Sequence, residues 1–162
     1  NSKLCKLWIW YNCPELQGGT REIRKVYFEN FPVVVDVNAK ALEALADAQI
    51  SANEAFRKYV QRFQNRVQST LGVQKMTEKL SAFYKYAFGV FLDELKKQKV
   101  KLSLCEQDEW EEYFNGCRQD CTRLLLEIDE NDRKIDQLVY ELYGLTEEEI
   151  AVIESDFQVL KL

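Results

Sequence analysis

Between Ser103 and Leu142 the apolar residues keep to two positions of a seven-residue frame, and no other stretch constrains the fold as tightly. Trp110, Cys117, Leu124 and Leu138 hold one position; Phe114, Cys121, Ile128, Ile135 and Leu142 hold the other. A helix with that repeat must lay its seam against another helix to remove the stripe from water. Its one polar member is Asn131, and a single buried Asn in such a seam fixes register or partner at some cost in stability. Both ends are marked. Ser103 and Glu106 form a capping box, in which each side chain satisfies the other's free backbone amide. At the far end Gly144 can take the left-handed conformation that closes a helix, and Thr146 with Glu149 opens a short new helix through a second box.

The seam needs a mate, and the alanine-rich stretch from about Asn38 to Gly72 supplies one. Ala41, Leu45, Ala48, Ala52, Phe56, Val60, Phe63, Val67 and Leu71 recur there at helical spacing, which predicts an antiparallel partner for the Ser103 helix. Lys58, Arg62 and Arg66 stand four residues apart on its opposite side, so their charges stack along one face. A third helix is expected from about Thr77 to Lys99, presenting Leu80, Tyr84, Phe88, Phe91, Leu92 and Leu95 as a core wedge. Lys96, Lys97, Lys99 and Lys101 crowd its end, where cations suit the helix dipole or could meet phosphate.

Ahead of these helices the pattern is less regular. Leu4, Leu7, Trp8 and Tyr11 predict a short helix stopped by Pro14 and the Gly18-Gly19 pair. The Arg21–Phe31 stretch then mixes apolar and basic residues and leads to Pro32-Val33-Val34-Val35, whose β-branched run is the best strand candidate in the chain. The chain begins within an apolar pattern and without methionine, as a piece of a longer protein would. The expected fold is therefore mainly α, a coiled-coil-like bundle of long antiparallel helices, with a small α/β part at the N-terminus.

The residue types present narrow the chemistry. There is no histidine, so the commonest general base is missing. No lysine followed by serine or threonine stands after the glycine pair, as a phosphate loop would need. Glu94-Leu95-Lys96 and Asp132-Arg133-Lys134 resemble nuclease strings only in passing, because both fall in helical patterns without a companion acid on a strand. The five cysteines, Cys5, Cys13, Cys105, Cys117 and Cys121, fit no zinc spacing, and two of them are seam positions. No apolar run approaches the roughly 20 residues of a membrane span, and no signal peptide is evident; these make a cytoplasmic protein without a membrane partner the expectation. Charge is divided along the chain: residues 1–101 carry 17 Lys and Arg against 10 Asp and Glu, and residues 102–162 carry 5 against 17. The first part suits a polyanion, the second would be repelled by one, and the two could equally attract each other.

The closing run Ile135-Asp136-Gln137-Leu138-Val139-Tyr140-Glu141-Leu142-Tyr143-Gly144-Leu145-Thr146-Glu147-Glu148-Glu149-Ile150 resembles the final motif of bacterial adenine-specific DNA methyltransferases of restriction-modification systems, including the single-chain type IIG enzymes. Lys101-Leu102-Ser103-Leu104 with Trp110-Glu111-Glu112-Tyr113-Phe114 is similar to that family's tail, and Gly18-Gly19 with Arg24-Lys25-Val26-Tyr27-Phe28-Glu29-Asn30-Phe31-Pro32 to the end of its target-recognition domain. The resemblance implies that residues 1–37 are an α/β remnant of the recognition domain and residues 38–162 a helical scaffold tail. It implies a parent that transfers a methyl group from S-adenosylmethionine to adenine, with duplex DNA and the methylase domain of the same chain as partners and a homodimer open to it. Catalytic and cofactor-binding residues do not carry over, since neither Pro14 nor Pro32 belongs to the Asn-Pro-Pro-Tyr type of tetrapeptide that holds the base. The DNA-binding candidates are Arg21, Arg24 and Lys25, with Lys58, Arg62 and Arg66 as phosphate contacts. The alternative is a purely structural helical interaction or dimerisation module without direct DNA contact.

Overall fold

The computed structural model describes residues 2–17, 19–34 and 39–160. Among them the regular elements are helical: α1 (Lys3–Asn12), α2 (Lys25–Phe28), α3 (Ala39–Leu71), α4 (Glu78–Ser81), α5 (Phe88–Lys97), α6 (Leu104–Leu142) and α7 (Glu147–Leu160), with a 3₁₀ turn at Phe83–Lys85. The chain forms two compact units, one of Asn1–Ala48 with Glu130–Leu162 and one of Gln49–Asp129. Helices α3 and α6 each contribute a segment to both.

The 49–129 unit is built on an aromatic core. Phe63 of α3 stacks on Phe83 with ring centroids 3.7 Å apart. Phe114 of α6 meets Phe63, Phe83, Phe88 and Phe91 at 5.8, 5.7, 5.5 and 5.4 Å. Phe63 and Phe114 are both completely buried, and removing such a ring from water is worth roughly 1.5–3 kcal/mol. The α3 and α6 segments of this unit run antiparallel: Thr70 shares a depression with Glu109 and Trp110, while Arg62 acts on the Cys117 thiol further along α6. That is the pairing the two apolar patterns imply. The seam buries Phe114, Cys121 and Leu124 and leaves Trp110 and Cys117 half-buried.

The continuous helix expected over Thr77–Lys99 is instead broken twice. Ala82 leaves the helical region at φ −103°, ψ 36°, and Tyr86 and Ala87 are extended. The physical gain is burial: Leu80, Phe83, Phe88, Phe91 and Leu95 all reach the core, and Tyr84 stays at its edge. Glu94, only 4% exposed, clamps the break. It accepts from Thr77 Oγ1 at 2.7 Å and from Lys97 Nζ at 2.6 Å, while Thr77 Oγ1 caps α4 by accepting from the Leu80 amide at 3.3 Å.

The other unit packs α1 against α7. Ser2 Oγ caps α1 by accepting from the Cys5 amide at 3.3 Å. The α1 side contributes Leu7, 5% exposed, and α6 contributes Tyr140, 6% exposed. Phe31 closes the unit, edge-on to Trp8 at 5.0 Å and stacked on Phe28 at 5.4 Å. Both boxes and the glycine stop form as their residues imply. Ser103 and Thr146 donate their backbone amides to Glu106 and Glu149 at 2.8 Å. Gly144 sits at φ +61°, with its amide on Glu141 O and the Leu145 amide on Tyr140 O.

The expected α/β part at the N-terminus is not formed, which corrects the fold class. Pro32, Val33 and Val34 are irregular, and the only β contact among the described residues is the isolated bridge between Glu15 and Arg21. A β-branched run becomes a strand only where another backbone answers its amides and carbonyls. Here the Pro32 carbonyl accepts instead from the Tyr143 hydroxyl at 2.6 Å, and Val33 is 69% exposed. Val35, Gly18 and the expected domain boundary at residues 37–38 lie outside the described residues.

Candidate functional site

Four-residue spacing on a helix brings side chains one above another, and α3 does this with Lys58, Arg62 and Arg66. Together with Gln61, Asn65 and Ser69 they line one shallow face of the 49–129 unit. Lys58 lies 3.9 Å from Glu54 with both side chains exposed, an interaction worth only about 0.3–0.5 kcal/mol. Arg62 and Arg66 form no ion pair among the described residues.

Next to that face lies a second depression of about 250 Å³, lined by Arg66, Thr70, Glu109, Trp110 and Tyr113. The two rings are held from behind. Trp110 meets Tyr113 edge-on at 5.7 Å and tilts over Phe91 at 5.9 Å, and Tyr113 stacks on Phe63 at 5.9 Å. Burial pushes the Tyr113 hydroxyl up from its ordinary value, and the nearby Arg62 and Arg66 pull it partly back. Burial also pushes up the Cys117 thiol, and it takes Cys121 to about 11. These thiols are protonated at neutral pH and inert as nucleophiles, in keeping with their place in the seam.

The remaining candidates belong to the other unit and are already engaged there. The Arg21 guanidinium stacks 3.9 Å over the Trp10 ring and approaches Glu15 at 3.7 Å, and its side chain is only 17% exposed. Arg24 pairs with Glu22 at 2.7 Å. Lys25 pairs with Glu29 at 3.5 Å but stays 89% exposed. Arg21 therefore serves the turn that carries it, whereas Arg24 and Lys25 keep their charges at the surface. That Trp110 and Tyr113 line a depression with Arg66 was not legible in the sequence, since Trp110 at seam spacing reads as core and only the α3–α6 register sets Arg66 beside the two rings.

Among the described residues no group of three or more His, Cys, Asp and Glu is placed to hold a metal ion, and no helix is long and apolar enough to cross a membrane. At about 250 Å³ the Trp110 depression is too small to enclose S-adenosylmethionine, falling below the roughly 300–1,000 Å³ of an enclosing cleft.

These features define a helical protein whose two longest helices each enter two compact units and whose exposed chemistry is a cationic face beside an aromatic depression. The chain belongs to the family described as Domain of unknown function (DUF8810), whose model matches residues 36–139. No curated protein and no solved structure matches it. The matched segment begins just before α3 and takes in the broken stretch between the long helices and nearly all of α6.

Proposed function

We propose that this chain is a non-catalytic helical interaction module, a scaffold that holds other parts of a longer protein together. The observation that carries the reading is that α3, of 33 residues, and α6, of 39, each contribute to both compact units. Chain continuity of this kind links two separately packed bodies through helical backbone instead of a loop. The resemblance of Ile135–Ile150 to the end of adenine-specific DNA methyltransferases makes such an enzyme, with its S-adenosylmethionine, the proposed parent. The test is to produce the upstream part of the parent polypeptide and this chain as separate proteins. Co-elution in gel filtration is the expected outcome, and failure to co-elute would remove the scaffold reading.

One observation favours a second reading, in which the α3 face contacts duplex DNA. Arg62 and Arg66 are exposed and without an ion pair among the described residues, in a chain whose acidic residues outnumber its basic ones by 27 to 22. Replacing Lys58, Arg62 and Arg66 with Gln should weaken duplex binding, and each phosphate left without its cation should lower the steepness of the log K against log salt plot by about 0.9. An unaltered salt series would eliminate that reading.

A further inference from the structure

The depression and the cationic face of α3 beside it together present three chemistries: the guanidiniums of Arg62 on the face and of Arg66 shared by both, the rings of Trp110 and Tyr113, and the Glu109 carboxylate. Arg66 lines both the cationic face and the depression, so the two surfaces are continuous. Neither Arg62 nor Arg66 is neutralised by an acid among the described residues, although Glu109 lines the same depression as Arg66. Trp110 and Tyr113 remain partly exposed while core rings hold them from behind. At about 250 Å³ the depression is too small and too open to engulf a ligand, and a single flat ring is the size of group it accepts.

We propose that this α3–α6 groove binds one nucleotide unit, with its phosphate on Arg62 and Arg66 and its base against Trp110 and Tyr113. The same chemistry is offered by a free nucleoside monophosphate and by an unpaired nucleotide within a single strand. Aromatic faces stack on any exposed base, whereas the bases of a duplex are stacked on one another and cannot reach them. Glu109 adds discrimination. Its carboxylate accepts a hydrogen bond from an exocyclic amine and repels a carbonyl oxygen, so cytosine is favoured over thymine. The groove shares its arginines with the duplex-binding reading and rests on that reading only for the phosphate contacts.

The test is fluorescence anisotropy of the full chain with labelled oligodeoxycytidylate, oligothymidylate and a duplex of matched length, together with competition by cytidine monophosphate. The expected order is oligodeoxycytidylate, then oligothymidylate, then duplex. Trp110→Ala should weaken single-strand binding roughly tenfold or more while leaving duplex binding unchanged, and Trp110→Phe should recover most of the loss. Glu109→Gln should narrow the cytosine preference, and competition by the free monophosphate separates a mononucleotide site from a strand site. Because Trp110 touches the core, circular dichroism of each variant shows whether the helices persist. Single-strand binding that is absent, no tighter than duplex binding, or unchanged in a folded Trp110→Ala protein would overturn the proposal. Loss of duplex binding in Arg62→Gln/Arg66→Gln would still leave the duplex reading standing in that case.

Discussion

The Asp136 carboxylate on α6 accepts the backbone amide of Lys3 at 2.7 Å, so a residue 133 positions away ties down the first turn of α1. The Lys3 ammonium lies 3.7 Å from the same carboxylate and donates to Glu154 of α7 at 2.7 Å. Glu154 also accepts from the Tyr140 hydroxyl at 3.0 Å. One lysine thus holds three helices of its unit together.

Truncation of Asp136 exposes the value of that tie. Asp136→Ala should destabilise the unit by about 1–3 kcal/mol, because an amide at a helix start loses its acceptor in a buried place. Asp136→Asn, which retains an oxygen, should cost less. Burial pushes the Asp136 carboxyl above its usual range, outweighing the amide and ammonium of Lys3. The folded state therefore takes up this proton before the unfolded state does, and the protein gains stability as the pH falls from above the raised value toward the ordinary carboxylate range. Thermal melts across that range should show the slope in the native protein and its absence in Asp136→Asn.

Glu94 has the opposite sign. The hydrogen bond from Lys97, then that from Thr77, lowers its carboxyl below the ordinary value despite burial. Its contribution is present above the unfolded pKa and is lost as the pH falls through the folded one. Glu94→Gln should lower stability at neutral pH and flatten the acid limb of the stability curve, read by denaturant unfolding. An unchanged acid limb would show that the α4–α5 clamp does not depend on charge.

Asn131 is buried at 8% exposure, and its side-chain amide nitrogen finds no hydrogen-bond partner. An unanswered buried donor costs about 1–3 kcal/mol. Asn131→Leu should therefore raise the melting temperature. A fall would mean that leucine does not fit the space, since overpacking costs a similar amount.

Phe63 meets four other rings in the core of the 49–129 unit. Phe63→Ala should cost about 3–5 kcal/mol, while Phe56→Ala, at a half-buried residue on the edge of the core whose one ring contact among the described residues is Tyr84 at 5.1 Å, should cost less. Chemical denaturation of both variants would rank them, and equal losses would contradict the packing described.

Much of the helical framework was legible in the sequence. The two capping boxes, the Gly144 stop and the extent of α3 and α6 follow from residues within a few positions of one another. A cap or a helical period is a local matter, settled by backbone groups and side chains one turn apart. The stacking of Lys58, Arg62 and Arg66 was readable for the same reason.

The features that sequence could not decide all depend on distant partners. Pro32-Val33-Val34 has the composition of a strand, but no second backbone comes alongside among the described residues, and Tyr143 answers the Pro32 carbonyl instead. The Thr77–Lys99 stretch has the period of one helix, yet burying both Phe83 and Phe88 around Phe114 outweighs helical continuity. Arg66 and Trp110 meet only because α3 and α6 pair in one register. Local chemistry determined where helices begin, end and turn their apolar sides; burial shared among residues far apart in the chain decided where they break and what their exposed faces bring together.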